Sequence, residues 1–251
     1  MTNQPGMGHD ERIEIAKRLA QEILRAYGDA VLAVFVTSST ARGLDLRHSD
    51  LELTAAVRDG VELENRSYVY RGLLVEIEYL QESAILKNTR RVTRRWPIEA
   101  GEYRDRIVLH EREGWLRHLD QAMDERDTSD FSTGLRHATT ELVEYHDKLL
   151  NARLAGDEMV VRYNGFFIAE QAATLILFLN RRWMITSRWL FSQAFECPEQ
   201  PSEFRRLVEI LVGVVPSTSA AVVEAGERLC ADTVALARSF GISVELDALE
   251  A

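Results

Sequence analysis

Every segment able to form a β-strand lies in the first half of this chain. Ala30–Val36 is a short apolar run rich in Val and reads as a buried strand. Asp50–Val57 alternates, and the turn dipeptide Asp59-Gly60 closes it. Asn65–Tyr70 and Leu73–Leu80, joined at Arg71-Gly72, predict a hairpin, and Asp105–Leu109 is a last strand. A helix capped by Asp10 carries Ala16, Leu19, Ile23 and Tyr27 on one face and stops at Gly28. Gln81–Thr89 reads as a short helix, and Trp96-Pro97 as a break. Beyond Asp127 no alternating segment occurs. Asp130–Leu154 instead places Phe131, Leu135, Ala138, Leu142, Tyr145 and Leu149 at steps of three and four, which defines one helical face. Tyr163–Leu179 is apolar nearly all round, as a central buried helix would be. Glu203–Leu211 is a shorter helix, and Pro216 introduces a last one that runs to about Phe240 and stops at Gly241. The fold class expected is α+β. Residues 1–127 form a domain with a mixed sheet and flanking helices, and residues 128–251 form an all-α bundle.

Composition narrows the functions open to such a chain. Asp and Glu total 40 against 30 Lys and Arg, a net charge of −10. That excludes a generic nucleic-acid binder, which needs a broad basic surface, and suits a cationic small-molecule partner. The longest strongly apolar stretches, such as Ala172–Leu179, fall far below the roughly 18 residues that span a bilayer. Met1–Asp10 is polar and shows no signal peptide, so a soluble, cytoplasmic protein without a membrane partner is expected. Cys197 and Cys230 are too few for a disulfide scaffold and read as buried small hydrophobes. The six histidines lack the spacing of a zinc site, and Arg90, Arg91, Arg94 and Arg95 read as a solvated basic surface.

The chemistry lies between Val36 and Leu53. The first strand runs into Ser38-Ser39-Thr40-Ala41-Arg42-Gly43, and Ser49-Asp50-Leu51-Glu52-Leu53 follows shortly after. Strand alternation points Asp50 and Glu52 to one face and Leu51 and Leu53 to the core. Two carboxylates held that close repel each other unless a cation lies between them. Oxygen-only ligands suit Mg²⁺, which commonly binds a few carboxylates together with substrate phosphates. The hydroxyl-rich turn can present backbone N–H groups and Ser39 to a triphosphate. A third acid is expected on a neighbouring strand. Glu76 and Glu78 share one face there, and periodicity does not choose between them. On the Asp130–Leu154 helix, Glu144 and Lys148 are spaced i, i+4, opposite the stripe through Leu135, Leu142 and Leu149, so the pair faces solvent or a cleft.

The pattern Ser39–Arg42 followed by Ser49-Asp50-Leu51-Glu52 resembles the signature of nucleotidyltransferases with a polymerase-β-like core. More narrowly, the chain resembles the kanamycin nucleotidyltransferase family, the aminoglycoside 4′-O-adenylyltransferases, over nearly its full length. Tyr27-Gly28-Asp29, Val75-Glu76-Ile77, Trp96-Pro97 with Gly101, and Glu141-Leu142-Val143-Glu144-Tyr145 with Lys148 carry the resemblance. It implies transfer of AMP from Mg-ATP to the 4′-hydroxyl of kanamycin-, tobramycin- or amikacin-type drugs, with release of pyrophosphate and resistance as the outcome. Asp50, Glu52 and Glu76 would hold Mg²⁺. Ser39, Arg42, Ser49 and Lys148, with Thr186 and Ser187, would meet the nucleotide. Glu144 would be the general base, with Lys148 on the α-phosphate. Glu52, Glu62, Glu64, Glu76 and Glu144 would receive the polycationic drug. The family's usual Gly-Ser pair is Ser38-Ser39 here, and its acidic drug contact before the third-acid strand aligns with Ser67, for which Glu62 or Glu64 would substitute. A homodimer with shared active sites is also implied. The alternatives are a nucleotidyltransferase acting on another hydroxylated small molecule or a protein, and a catalytically idle nucleotide-binding protein.

Overall fold

The computed structural model describes residues 6–244; the first five residues of the polar start and the last seven of the chain lie outside it. In chain order the elements are α1 (His9–Tyr27), β1 (Val31–Val36), α2 (Ser38–Ala41), β2 (Leu51–Val57), β3 (Arg66–Tyr70) and β4 (Leu73–Gln81). Next come α3 (Glu82–Thr89), α4 (Trp96–Glu99), β5 (Ile107–Glu111), α5 (Leu116–Asp127) and α6 (Ser132–Ala155). The chain continues through α7 (Glu158–Leu179), α8 (Leu190–Phe195), α9 (Phe204–Leu211) and α10 (Ser219–Ser239). Mixed sheet and helices together make the expected α+β fold. The residues group into two compact units. One combines the chain up to Arg91 with Ala100–Ser129; the other combines Val92–Glu99 with the chain from Asp130 onward.

In the first unit the sheet order is β3-β4-β2-β1-β5. The β1–β2, β1–β5 and β3–β4 pairs are antiparallel, whereas β2 and β4 run parallel. Arg71 and Gly72 turn the β3–β4 hairpin with φ of 50° and 82°. Two successive positive φ values match the right-handed twist of the strands. The two faces of the sheet are covered differently. Leu51, Leu53, Val75 and Ile77 pack with Ile15, Ala16 and Ile23 of α1. On the other face Leu32, Phe35 and Ala56 pack with Ile85 of α3 and with Leu116, Leu119 and Met123 of α5. Side chains alternate across a strand, so the acids of β2 and β4 stand on the α5 side.

Several boundaries differ from the sequence expectation. Asp10 does not cap α1: the helix begins at His9 after Gly8, and no side chain caps it. Strand β5 starts two residues later than expected, at Ile107. Helix α5 was not expected. Trp96-Pro97 opens the one-turn helix α4 rather than breaking the chain, because Pro fits a first helical turn, where its missing N–H has no partner to lose. Thr218, not Pro216, starts α10, its side chain accepting from the Ala221 N–H at 3.2 Å.

In the second unit α7 is the central helix, with an unbroken buried run from Ala172 to Leu179. Trp96 is 3% exposed. Its ring stacks on Phe178 (centroids 5.5 Å apart) and meets Phe131 edge-on at 4.9 Å. The Met184 N–H donates to the Pro97 carbonyl at 2.6 Å. Aromatic burial of this kind is why segment 92–99 leaves the sheet unit for the helical one.

Candidate active site

Parallel register between β2 and β4 builds the site. Glu52 lies opposite Glu76, and Thr54 opposite Glu78. Asp50 sits one residue ahead of β2, on the same side. Ligand oxygens of Asp50, Glu52 and Glu76 all lie within 4.8 Å of one another. Register therefore decides what periodicity left open: Glu76 joins the cluster, and Glu78 stands one step further along. Three half-buried carboxylates, with no nitrogen or sulfur among them, fit a hard divalent cation such as Mg²⁺.

The electrostatics of the cluster suit a cation. Glu52 holds its proton more tightly than usual, first because of burial and then because of the charges of Asp50, Glu76 and Glu78. A hydrogen bond donated by Ser38 Oγ to the Glu52 carboxylate works in the opposite direction. Burial likewise raises Glu78. Ser38 holds φ at 58°, in the left-handed region. A residue with a Cβ pays roughly 1–2 kcal/mol there relative to Gly. The Gly-to-Ser departure thus costs the backbone but supplies a donor to Glu52.

A cavity of about 300 Å³ opens beside the acids. Glu52, Glu76, Glu78 and Glu102 line it together with Arg66 and Ser67. Ser67 Oγ approaches Glu76 at 3.4 Å. Glu62 and Glu64 are exposed on the β2–β3 loop and are not part of this lining. Sequence reasoning did not single out Glu102 as a member of this acidic wall. Its position, next to the Gly101 turn and outside every strand run, carried no periodic signal.

The remaining candidates are dispersed. Ser39 is half-buried in α2, and its carbonyl accepts from the Leu44 N–H at 2.9 Å. Arg42 is tied to its own unit, with Nε on Asp105 at 3.0 Å and Nη2 on the Gly101 carbonyl. Ser49 Oγ accepts from the Leu46 N–H at 2.9 Å and so closes the turn before Asp50. In the helical unit Glu144 and Lys148 form an exposed ion pair at 2.7 Å on α6, 61% and 49% exposed. Lys148 holds the Glu144 carboxyl below its usual range, and Lys148 Nζ lies 4.7 Å from the Tyr145 ring centroid. Glu141, one turn earlier, is bound by Arg94 at 2.6 Å. Thr186 and Ser187 open the short 3-10 turn that leads into α8. Both cysteines are free and buried, and burial raises both thiols, Cys230 to about 11. Among the described residues, no helix is long and apolar enough to cross a membrane.

Comparison with known proteins shows the family. Residues 113–243 match the family model described as the KNTase C-terminal domain, and the chain belongs to that family. A Staphylococcus aureus protein named aminoglycoside nucleotidyltransferase (4′) is 24% identical over 223 residues, spanning 88% of each chain. A Bacillus protein of the same name matches to the same extent. The crystal structure of a nucleotidyltransferase-like protein from Exiguobacterium sibiricum shares the fold, with a TM-score of 0.55 at 16% identity. That match covers 91% of this chain and 78% of the other.

Proposed function

We propose that this chain is an aminoglycoside O-nucleotidyltransferase, which transfers AMP from ATP to the 4′-hydroxyl of kanamycin-type drugs and thereby confers resistance. The observation that carries the proposal is the acid cluster of Asp50, Glu52 and Glu76, set by strand register beside an acidic cavity. The relatives' names supply the drug class and the position of transfer.

Asp50, Glu52 and Glu76 would hold Mg²⁺, which when bound neutralises charge on the triphosphate and on the oxygens exchanged at the α-phosphorus. Glu144 accepts the proton of the attacking hydroxyl; its ion pair with Lys148 keeps it ionised in the neutral range but lowers its basicity, so Lys148 has to turn to the phosphate for Glu144 to act as the base. A bond forms from that hydroxyl oxygen to the α-phosphorus, the bond to the β-phosphate breaks, and pyrophosphate leaves. Lys148 offsets charge on the α-phosphate. Ser39, Arg42 and Ser49 serve the phosphates, with Thr186 and Ser187 as further nucleotide contacts. Glu62 and Glu64, with the acids of the cavity, attract the ammonium groups of the drug. Following the family resemblance, we take the protein to act as a homodimer, Glu144 and Lys148 of one copy serving the acids of the other.

Incubation with Mg-ATP and a panel of aminoglycosides, read by mass, tests the activity. An added AMP on a drug bearing a free 4′-hydroxyl, and none on one lacking it, is expected; no adduct on any drug would remove the proposal. Mixing Glu52→Gln with Glu144→Gln protein tests the shared site. Each mixed dimer regains one intact cleft of its two, whereas verified subunit exchange without activity would refute sharing.

A further inference from the structure

Arg12 is the most deeply buried cation of the first unit, at 1% exposure. It stands in the first turns of α1, far in sequence from the acids, yet the hydrogen bonds of its guanidinium go to the loop that delivers them. Its Nη1 donates to Asp45 Oδ2 at 2.5 Å, and its Nη2 to the Leu46 and Arg47 carbonyls at 2.6 and 3.1 Å. Its Nε donates to the Ser49 carbonyl at 3.2 Å. The side chain of Asp45 is itself only 1% exposed, and its other oxygen meets His9 Nδ1 at 2.7 Å.

A buried guanidinium is tolerated only when its donors are met, and here a planar fork is met on each of its nitrogens. What the fork grips matters. Loop 44–49 has no ladder partner, because pairing with β4 begins at Leu51. Asp50 therefore sits just outside the sheet, its carbonyl reached, among the described residues, by the long 3.4 Å contact from Thr40 Oγ1. The Ser49 carbonyl belongs to the same peptide plane as the Asp50 nitrogen, so the bond from Arg12 Nε orients the peptide on which Asp50 turns. A Met of more similar length would fill part of the space but leave the Arg47 and Ser49 carbonyls without this donor, the Leu46 carbonyl keeping the Ser49 N–H.

We infer that Arg12, locked by Asp45, is a positioning residue that fixes Asp50 for divalent-cation binding. This inference rests on the proposed role of the acid cluster. Outer groups that orient a ligand typically contribute a factor of 10–100 to metal affinity.

Binding of Mn²⁺ alone, read by the loss of its free electron-paramagnetic signal, tests it without substrate or turnover. Wild-type protein should bind, and Glu52→Gln should not. Arg12→Lys keeps a charge for Asp45 but loses the fork, and should weaken Mn²⁺ about tenfold or more. In the AMP-transfer assay it should raise half-saturating Mg²⁺ by a similar factor, with kcat largely recovered at saturating metal. A purely structural role would lower the melting temperature and leave metal affinity untouched. If Arg12→Lys does not fold, Asp45→Asn and His9→Ala weaken the latch more gently and should shift Mn²⁺ affinity in the same direction, His9→Ala least. Unchanged Mn²⁺ affinity in folded variants overturns the inference. A wild type that binds no Mn²⁺ overturns it together with the metal site. A wild type that binds Mn²⁺ but modifies no drug removes only the proposed substrate, and the Arg12 effect on binding still stands as support.

Discussion

Glu52→Gln should make the metal-free protein more stable while abolishing its activity. With the acid oxygens within 4.8 Å of one another, two unit charges repel by about 0.9 kcal/mol in bulk water and about 3.5 kcal/mol at an effective dielectric of 20. The cluster is half-exposed, so after solvent screening about 1 kcal/mol per pair is the appropriate scale. Neutralising Glu52 removes its repulsion with Asp50 and with Glu76, about 2 kcal/mol in all. The Gln carbonyl still accepts from Ser38. For a chain of this size that corresponds to a rise in melting temperature of about 4–8 °C. The pH dependence has a definite sign. Glu52 in the folded protein has its proton affinity raised above the ordinary value of 4.5. The wild type therefore enjoys a proton-linked stability below that value and loses it as pH rises through the raised one. The gain from Gln should vanish near pH 4 and be full at pH 7.5. Thermal melts of both proteins in chelator, at several pH values, measure it. Mg²⁺ should then stabilise the wild type, by about 1.4 kcal/mol at ten times its dissociation constant, and do little for the variant. A Gln variant no more stable than wild type at pH 7.5 without metal would refute the account of the cluster as an uncompensated acid site.

Three further outcomes are expected. Asp50→Asn should cut turnover by orders of magnitude while folding survives, as circular dichroism and steady-state rates would show; near-normal turnover at saturating Mg²⁺ would contradict its role. Glu144→Gln should lower kcat by about 10²–10⁴ with ATP affinity nearly unchanged, whereas Glu141→Gln, whose carboxylate is already held by Arg94, should do much less; equal losses would implicate the helix face rather than one base. Trp96→Ala should cost about 3–5 kcal/mol in denaturant unfolding, because it empties the space between Phe131 and Phe178.

The acid cluster was legible because two local signals agree. Alternation put Asp50 and Glu52 on one face, and the Arg71-Gly72 turn announced the hairpin that carries Glu76. Periodicity left Glu76 and Glu78 equivalent and only the family resemblance named Glu76; which of them stands opposite Glu52 is set by the register of a parallel pair, which depends on a crossover and leaves no local trace. Helix α5 did leave one, Leu116, Leu119 and Met123 at helical spacing, masked by the charged residues between them. Arg12 was invisible for a different reason: its partners lie 33 to 37 residues away, and an Arg in an amphipathic helix ordinarily reads as solvated. Likewise, nothing near Trp96 in the sequence indicates that its ring partners are Phe131 and Phe178.

Segment 92–99 also has a consequence for how the protein is made. A ribosome releases the chain from its N-terminus, so Trp96 emerges more than eighty residues before Phe178, the ring on which it stacks. During that interval β5 and α5 are already available to complete the sheet unit, while the loop between Arg91 and Ala100 carries an unburied indole ring into water. Nascent chains whose Ser129 has cleared the ribosome while Phe178 has not should accordingly hold a finished sheet and a sticky hydrophobic tab, the kind of surface chaperones bind. No single cut separates the two units. A fragment starting at residue 130 lacks Trp96, and one ending at 129 exposes it.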